Sequence, residues 1–220
     1  MKTGALIPAF CEERYIAEVV AGVKEFLPDV LVVDDASEDA TPERAQAAGA
    51  VVVRHERNLG KGAALLSGFH YFTDRTDVDA VLCLDADGQH APEDIPAFLT
   101  AAEATPGPGM VIGTRMARPG DMPRLRYWTN RVTSGIVSAV AKAGVTDSQC
   151  GFRLLRTDVI RALNITTCRY DMESEMIIQA ARKGFRIAEV PVRTIYRDEK
   201  SSIHPLNDTL RFIKLIARYV

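Results

Sequence analysis

Residues 82–90, LCLDADGQH, place Asp85 and Asp87 at alternate positions where an apolar run gives way to Gly88, Gln89 and His90. Like charges this close raise each other's pKa unless a cation takes up their field. On an extended segment leaving a sheet, side chains at i and i+2 project to one side. Both carboxylates can then converge on a hard cation that takes oxygen ligands. Oxygens from Asp85 and Asp87 suit Mg²⁺ or Mn²⁺, whereas zinc favours His or Cys. His90, the nearby nitrogen donor, reads as a turn residue beside Pro92. The same letters also fit a solvated D-x-D turn, since Asp and Gly abound in loops. A third reading is the D-x-D-G of aspartyl phosphatases, whose first Asp is a nucleophile. That chemistry wants Thr or Val after the Gly and a place on the first strand, and this chain meets neither condition.

A carboxylate pair needs a rigid frame. Residues 4–10, 30–35, 50–55, 80–87 and 110–115 are nearly continuous in apolar residues, as strands covered on both faces are. Helix-like segments fall at 12–26, 41–48, 61–73 and 93–104. Thr41 followed by Pro42 reads as an N-cap with Pro at the first helical position, and Glu93 and Asp94 put negative charge in another first turn. The alternation βαβαβαβ predicts an α/β fold, a mostly parallel sheet with helices on both faces. Ligands in such sheets sit beyond the carboxyl ends of the strands, where Glu12, Asp34, Asp35, Asp85 and Asp87 collect.

With 220 residues, 47% hydrophobic and 25% charged, one domain spanning 1–220 is expected. A net charge of -2 and a pI near 6.1, with no long basic run, argue against nucleic acid as a partner. Cys11, Cys83, Cys150 and Cys168 are scattered without a C-x-x-C pair. Neither a zinc site nor a disulfide framework is expected, which fits a reducing, cytoplasmic compartment. Nor does an apolar run reach the roughly 18 residues of a membrane span, or an export signal stand at the start.

Three further segments carry features of their own. In 123–144, Ile136, Val137, Val140 and Ala143 recur at helical spacing behind Arg124, Arg126 and Arg131. This is an amphipathic helix whose arginines are either solvated or receive an anion. In 206–220, Leu206, Leu210, Ile213, Ile216 and Val220 form a stripe opposite Arg211, Lys214 and Arg218. That stripe either packs on the sheet or rests peripherally on an anionic membrane surface. The polar stretch 196–205 has the character of a lid, with Arg197 placed to meet a diphosphate on closure.

Taken together, VVDDASEDAT (32–41), NLGKGAALLSGF (58–69), LDADGQHAPEDIP (84–96), DSQCGFRLLR (147–156), MESEM (172–176) and EVPVRTIY (189–196) stand in one order. This order resembles the family 2 glycosyltransferases of the GT-A fold, above all the branch of dolichyl-phosphate mannose synthase and polyprenyl-phosphate glycosyltransferases. The resemblance implies inverting, metal-dependent transfer of one hexose from GDP-mannose or UDP-glucose to a polyprenyl or dolichyl phosphate, at the inner face of a membrane. The alternative is the same donor chemistry with a soluble hydroxyl or phosphorylated acceptor. A non-catalytic nucleotide-sugar binder would not need Asp35, Asp85, Asp87, Glu173 and Glu175 together.

By position, the resemblance gives Pro8, Phe10 and Glu12 of PAFCE to the nucleotide pocket, with Cys11 replacing the usual Asn. Asp35 would hydrogen-bond the base or ribose, and Gly60 and Lys61 would flank the nucleotide. Asp85, Ala86, Asp87 and Gln89 would hold the metal and donor phosphates. Expelling a nucleoside diphosphate develops charge on the β-phosphate, which the metal neutralises as a Lewis acid; Arg115 can add a charge-assisted bond. A hydroxyl acceptor needs a general base, whereas a phosphate is already an anion. Glu173 falls where processive members carry the Asp of their TED base, and Glu175 on a Glu of the dolichyl-phosphate enzymes. Asp147 precedes CGFR as an acidic residue does in the lipid-phosphate branch. Arg131 with Ser134 would receive the acceptor phosphate. The missing Q-x-x-R-W motif favours a single transfer over polymerisation.

Overall fold

The computed structural model describes residues 1–117, 122–167, 169, 171–195 and 205–220, apart from the side chains of 205–208. The strands are β1 (Thr3–Ala9), β2 (Val30–Asp34), β3 (Val51–Arg54), β4 (Ala80–Cys83), β5 (Met110–Thr114), β6 (Arg153–Arg156) and β7 (Ile187–Pro191). The helices are α1 (Ile16–Lys24), α2 (Thr41–Ala47), α3 (Lys61–Thr73), α4 (Ile95–Ala102), α5 (Arg124–Ala141), α6 (Thr157–Ala162), α7 (Asp171–Arg182) and α8 (Pro205–Ala217).

A seven-stranded sheet runs in the order β3-β2-β1-β4-β6-β5-β7. Its pairings are parallel except for β6, which is antiparallel to both β4 and β5. The expected mostly parallel α/β sheet is therefore present. Every residue of β1, β2, β4 and β5 is buried. Because successive side chains point to opposite faces, helices must cover both. The chain steps outward from β1 to β2 and β3, then returns to place β4 on the other side of β1. That reversal opens a crevice at the carboxyl ends of β1 and β4, the position where such sheets bind ligands.

Several elements differ from the sequence expectation. β4 ends at Cys83, so LDADG has already left the sheet as a turn, with Gly88 at φ 67°. β3 is an edge strand rather than a covered one, and Val51 is 47% exposed. Thr41 does not cap α2; Ala40 precedes the helix, while the Thr41 hydroxyl accepts the Glu12 N–H and donates to Asp39. A hydroxyl with those partners ties the start of α2 to the loop after β1. β6 and β7 lie outside the runs read as strands, because Arg153 and Glu189 interrupt their apolar pattern.

The last helix buries a face other than the one expected. Phe212, Ile216 and Tyr219 pack against the core, Leu215 is buried beside them at 1% exposure, and α8 lies on α7; the four stand at i, i+3, i+4 and i+7. Leu210 and Ile213 are each 57% exposed and Val220 is 96% exposed. The side chain of Leu206 lies outside the described residues.

α3 approaches β1 so closely that a Cβ on Gly68 would fall 2.1 Å from Leu6 Cδ1. Leu6 is fully buried, and overpacking a dense core costs roughly 1–3 kcal/mol. Gly68→Ala is expected to lower the unfolding free energy by that amount, read as a lower urea midpoint at unchanged slope; a variant as stable as the wild type would show that α3 is not held against β1 in this way.

Candidate active site

The site forms where β1, β2 and β4 end. Lys61, the first residue of α3, bridges two carboxylates, with Nζ 2.6 Å from Asp85 Oδ1 and 2.8 Å from Glu173 Oε1. On its other oxygen Asp85 meets His90 Nε2 at 3.4 Å. Burial opposes the charge of Asp85, but Lys61 and His90 outweigh it and hold the carboxyl well below the usual range. Burial likewise opposes the Lys61 ammonium, and Asp85 and Glu173 reverse the effect and raise its pKa. Asp87 shifts the other way: burial and the neighbouring Asp85 charge raise its pKa, although its Oδ1 accepts the Gln89 N–H at 2.9 Å. One strongly ionised carboxylate and one short of positive charge stand at alternate positions.

The loop of DSQCGFR lies directly on this pair. A Cβ on Gly151 would fall 2.6 Å from Asp85 Oδ2, so a residue without a side chain is required at that approach. Among the described residues no group of three or more His, Cys, Asp and Glu converges as a metal site. Asp85 and Asp87 can still supply hard oxygen ligands. Mg²⁺ is usually held by one or two carboxylates together with substrate phosphates and water. The carboxylate of Asp85 is 27% exposed, which leaves it accessible to such an ion.

Where the nucleotide is expected, Asp35 is 2% exposed and its oxygens are already engaged. Oδ1 lies 2.7 Å from His55 Nδ1 and accepts the Leu59 N–H at 2.9 Å, while Oδ2 accepts the Gly60 N–H at 2.7 Å. His55 Nε2 in turn lies 2.9 Å from Ser67 Oγ on α3. Asp35 thus fixes the loop that presents Lys61, and Gly60 takes φ 96° to enter the helix. Asp34 pairs with Arg54 at 3.1 Å and is fully buried. Pro8 is buried within β1, and Phe10, 48% exposed, stands at the crevice edge next to half-buried Glu12. Cys11 adopts φ 56°, a left-handed backbone that Asn tolerates best among side-chain-bearing residues. Ala86 is 3% exposed inside the Asp85–Asp87 turn. Gln89 is half-buried, and its carbonyl accepts the Ile195 N–H at 3.0 Å.

The remaining candidates separate into two groups. Glu173 faces the site, and Glu175, two residues along α7, faces away, since positions two apart on a helix point to nearly opposite sides. Glu175 takes hydrogen bonds from Thr166, Thr167, Gln179 and Tyr219. Burial disfavours its charge, but these donors win and lower its pKa. Arg115 is not left open for a phosphate: its guanidinium grips buried Asp147 at 2.7 and 2.9 Å, and its N–H adds a bond of 3.1 Å. Ser134 is buried, accepting the Ser148 N–H at 2.8 Å. Exposed Arg131 lines a cleft of about 630 Å³ with Ser134, Thr114, Thr146 and Glu189. Arg197 lies outside the described residues.

One residue was misread in the sequence and two more went unassigned. His90 is buried against Phe152 and beside Asp85 rather than a simple turn residue. His55 buttresses Asp35. Arg153, 1% exposed, donates to the carbonyls of Cys150, Ser148 and Glu173, which locks the DSQCGFR loop to the first turn of α7. The signal for Arg153 was present: a lone Arg beside an apolar run is buried only if its donors are satisfied.

The family model described as glycosyl transferase family 2 matches residues 5–163. The chain is 32% identical over 211 residues to an undecaprenyl-phosphate mannosyltransferase of Micrococcus luteus, covering 90% of this chain and 85% of the relative. It is 30% identical over 216 residues to a UDP-N-acetylglucosamine–dolichyl-phosphate N-acetylglucosaminyltransferase of Methanococcus voltae, covering 88% and 85%. Among solved structures, glucosyl-3-phosphoglycerate synthase of Mycobacterium tuberculosis, in complex with Mn²⁺, UDP-glucose and phosphoglyceric acid, superposes with a TM-score of 0.78. That likeness, at 22% identity, covers 99% of this chain and 79% of the other, and shows the fold to be GT-A. With a family model spanning most of its length, and relatives at this identity along nearly all of it, the chain belongs to glycosyl transferase family 2 and is a glycosyltransferase.

Proposed function

We propose that the protein transfers one hexose from a nucleoside-diphosphate sugar to a polyprenyl phosphate, with inversion and with Mg²⁺ or Mn²⁺ held by Asp85 and Asp87. GDP-mannose and UDP-glucose are the donors to test. The observation that carries this reading is a cleft with an arginine in its lining beside a helix that exposes an apolar face. Arg131 lines the cleft, and α5 exposes Leu125, Trp128, Val132 and Ile136, at 81%, 60%, 59% and 38%, along its length. Their spacing of three and four residues makes one stripe. An acceptor with an anionic head and a hydrocarbon tail matches both surfaces, and a peripheral helix of this kind suits a membrane interface. No helix among the described residues is long and apolar enough to cross a membrane.

In this reading the chain's own residues divide the work. Pro8, Phe10, Glu12, Asp35 and Ala86 shape the nucleoside pocket. Asp85 and Asp87, with Gln89 beside them, present oxygens to the metal, which serves as Lewis acid for the leaving diphosphate when bound. Lys61 supplies a mobile positive charge to the same diphosphate. The Arg115–Asp147 pair positions the cleft wall and leaves the phosphate to Arg131. A phosphate acceptor is already ionised, so no base has to take its proton. The competing reading is a soluble hydroxyl acceptor, favoured by the carboxylate of Glu173 at the site, which would then be the base.

Transfer of labelled sugar from each donor to a short-chain polyprenyl phosphate in detergent tests the proposal. Metal-dependent label in the organic phase is expected; label that enters only water-soluble acceptors would replace the lipid with the hydroxyl reading. Asp87→Ala should lower kcat by at least about a hundredfold, the scale of ~3 kcal/mol of lost charge stabilisation, without shifting Tm. An Asp87→Ala enzyme of full activity would remove the metal assignment. Arg131→Ala should raise KM for the lipid phosphate about tenfold or more, the scale of a hydrogen bond to a charged group, while KM for the donor stays put. Equal effects on both constants would show a general loss of structure instead.

A further inference from the structure

The Lys61 ammonium stands where a metal ion would have to share Asp85. At 2.6 Å from Oδ1 it occupies one of the two carboxylate oxygens that Asp85 could offer a metal, and its second partner, Glu173 Oε1, is 2.8 Å away. An ammonium and a divalent ion on one carboxylate repel each other strongly in a site of low dielectric. Two carboxylates hold the ammonium at a helix end that does not itself favour a cation. Lys61 is the first residue of α3, whose first turn holds no acidic residue, and the positive end of the helix dipole favours anions there. Its stem is long and its charge compact, so it can move between partners in a way that a forked guanidinium held at two points cannot. A diphosphate arriving at this end of α3 meets both the helix N-terminus and a lysine able to turn toward it.

We infer that Lys61 is a placeholder cation: it competes with the metal for Asp85 and is drawn off by the donor diphosphate, so that metal and donor bind cooperatively. This deepens the metal-dependent reading above and rests on it. By linkage, whatever factor the diphosphate adds to metal affinity the metal adds to diphosphate affinity, and Lys61 supplies part of that factor. The consequence runs against ordinary expectation, because deleting a residue of the site tightens metal binding.

Titration of free Mn²⁺ by electron paramagnetic resonance reads the effect without any turnover. In the absence of nucleotide, Lys61→Gln should bind Mn²⁺ about tenfold or more tightly than the wild type, and Lys61→Arg should not. With UDP or GDP present the wild type should gain more Mn²⁺ affinity than Lys61→Gln gains. Lys61→Met repeats the measurement if the glutamine variant melts early, with thermal unfolding as the control. Lys61→Gln and Lys61→Met affinities equal to or below that of the wild type would overturn the inference. Mn²⁺ binding unchanged by Asp87→Ala would overturn the metal reading, and this inference with it.

Discussion

The ion triad Asp85–Lys61–Glu173 is the interaction on which the site depends. Asp85 and Glu173 share one ammonium, and Asp87, two residues from Asp85, has its pKa raised by burial and by the Asp85 charge that Lys61 partly cancels. Without that cation, carboxylates from the turn after β4 and from α7 would meet in a partly buried crevice with only His90 and Arg153 beside them to oppose repulsion. The triad therefore draws together two elements far apart in sequence. It also presets the polarity of the crevice for a substrate that is itself anionic and must arrive with a metal.

Buried guanidinium groups carry the same logic outward. Arg115 and Asp147 join the end of β5 to the loop before β6, and Arg153 joins that loop to α7. A buried pair adds little net stability compared with apolar packing of equal volume, but losing one partner leaves an uncompensated charge and is costly. Such pairs specify geometry more than they stabilise it. Here the specified geometry is the close approach of Gly151 to Asp85. Cys150 follows from the same dry environment: burial pushes its thiol up to about 12, so it behaves as an apolar residue.

Much of this was legible in the sequence because it depends on local letters. The parallel framework followed from apolar runs of strand length, and Asp85 and Asp87 stood out because a D-x-D after such a run has few uses. Less legible was anything set by which face of an element turns inward. The stripe assigned to the last helix was shifted, since Leu215 and Tyr219 compete with Leu210 and Ile213 for burial and Tyr219 also gains a hydrogen-bond partner in Gln179. Arg115 read as a free phosphate ligand because its partner, Asp147, is 32 residues away. His90 reads as a turn residue and His55 as the end of a strand until the fold brings a carboxylate to each. Long-range pairing of charge is the part a single sequence conceals.

α7 shows how one element can serve both the site and the frame. Its Glu173 looks toward Lys61, while Glu175 and Gln179, on the other side, receive the 164–167 loop and the hydroxyl of Tyr219. Glu175 accepts hydrogen bonds from Thr166, Thr167, Gln179 and Tyr219 on both its oxygens, so its carboxylate is satisfied within the scaffold and has no unused valence to offer an acceptor. Glu173, with an ammonium as partner, sits where charge can be redistributed when ligands arrive. The two residues read alike in MESEM, but helical geometry sends one to the chemistry and the other to the scaffold that holds the chain's last helix in place.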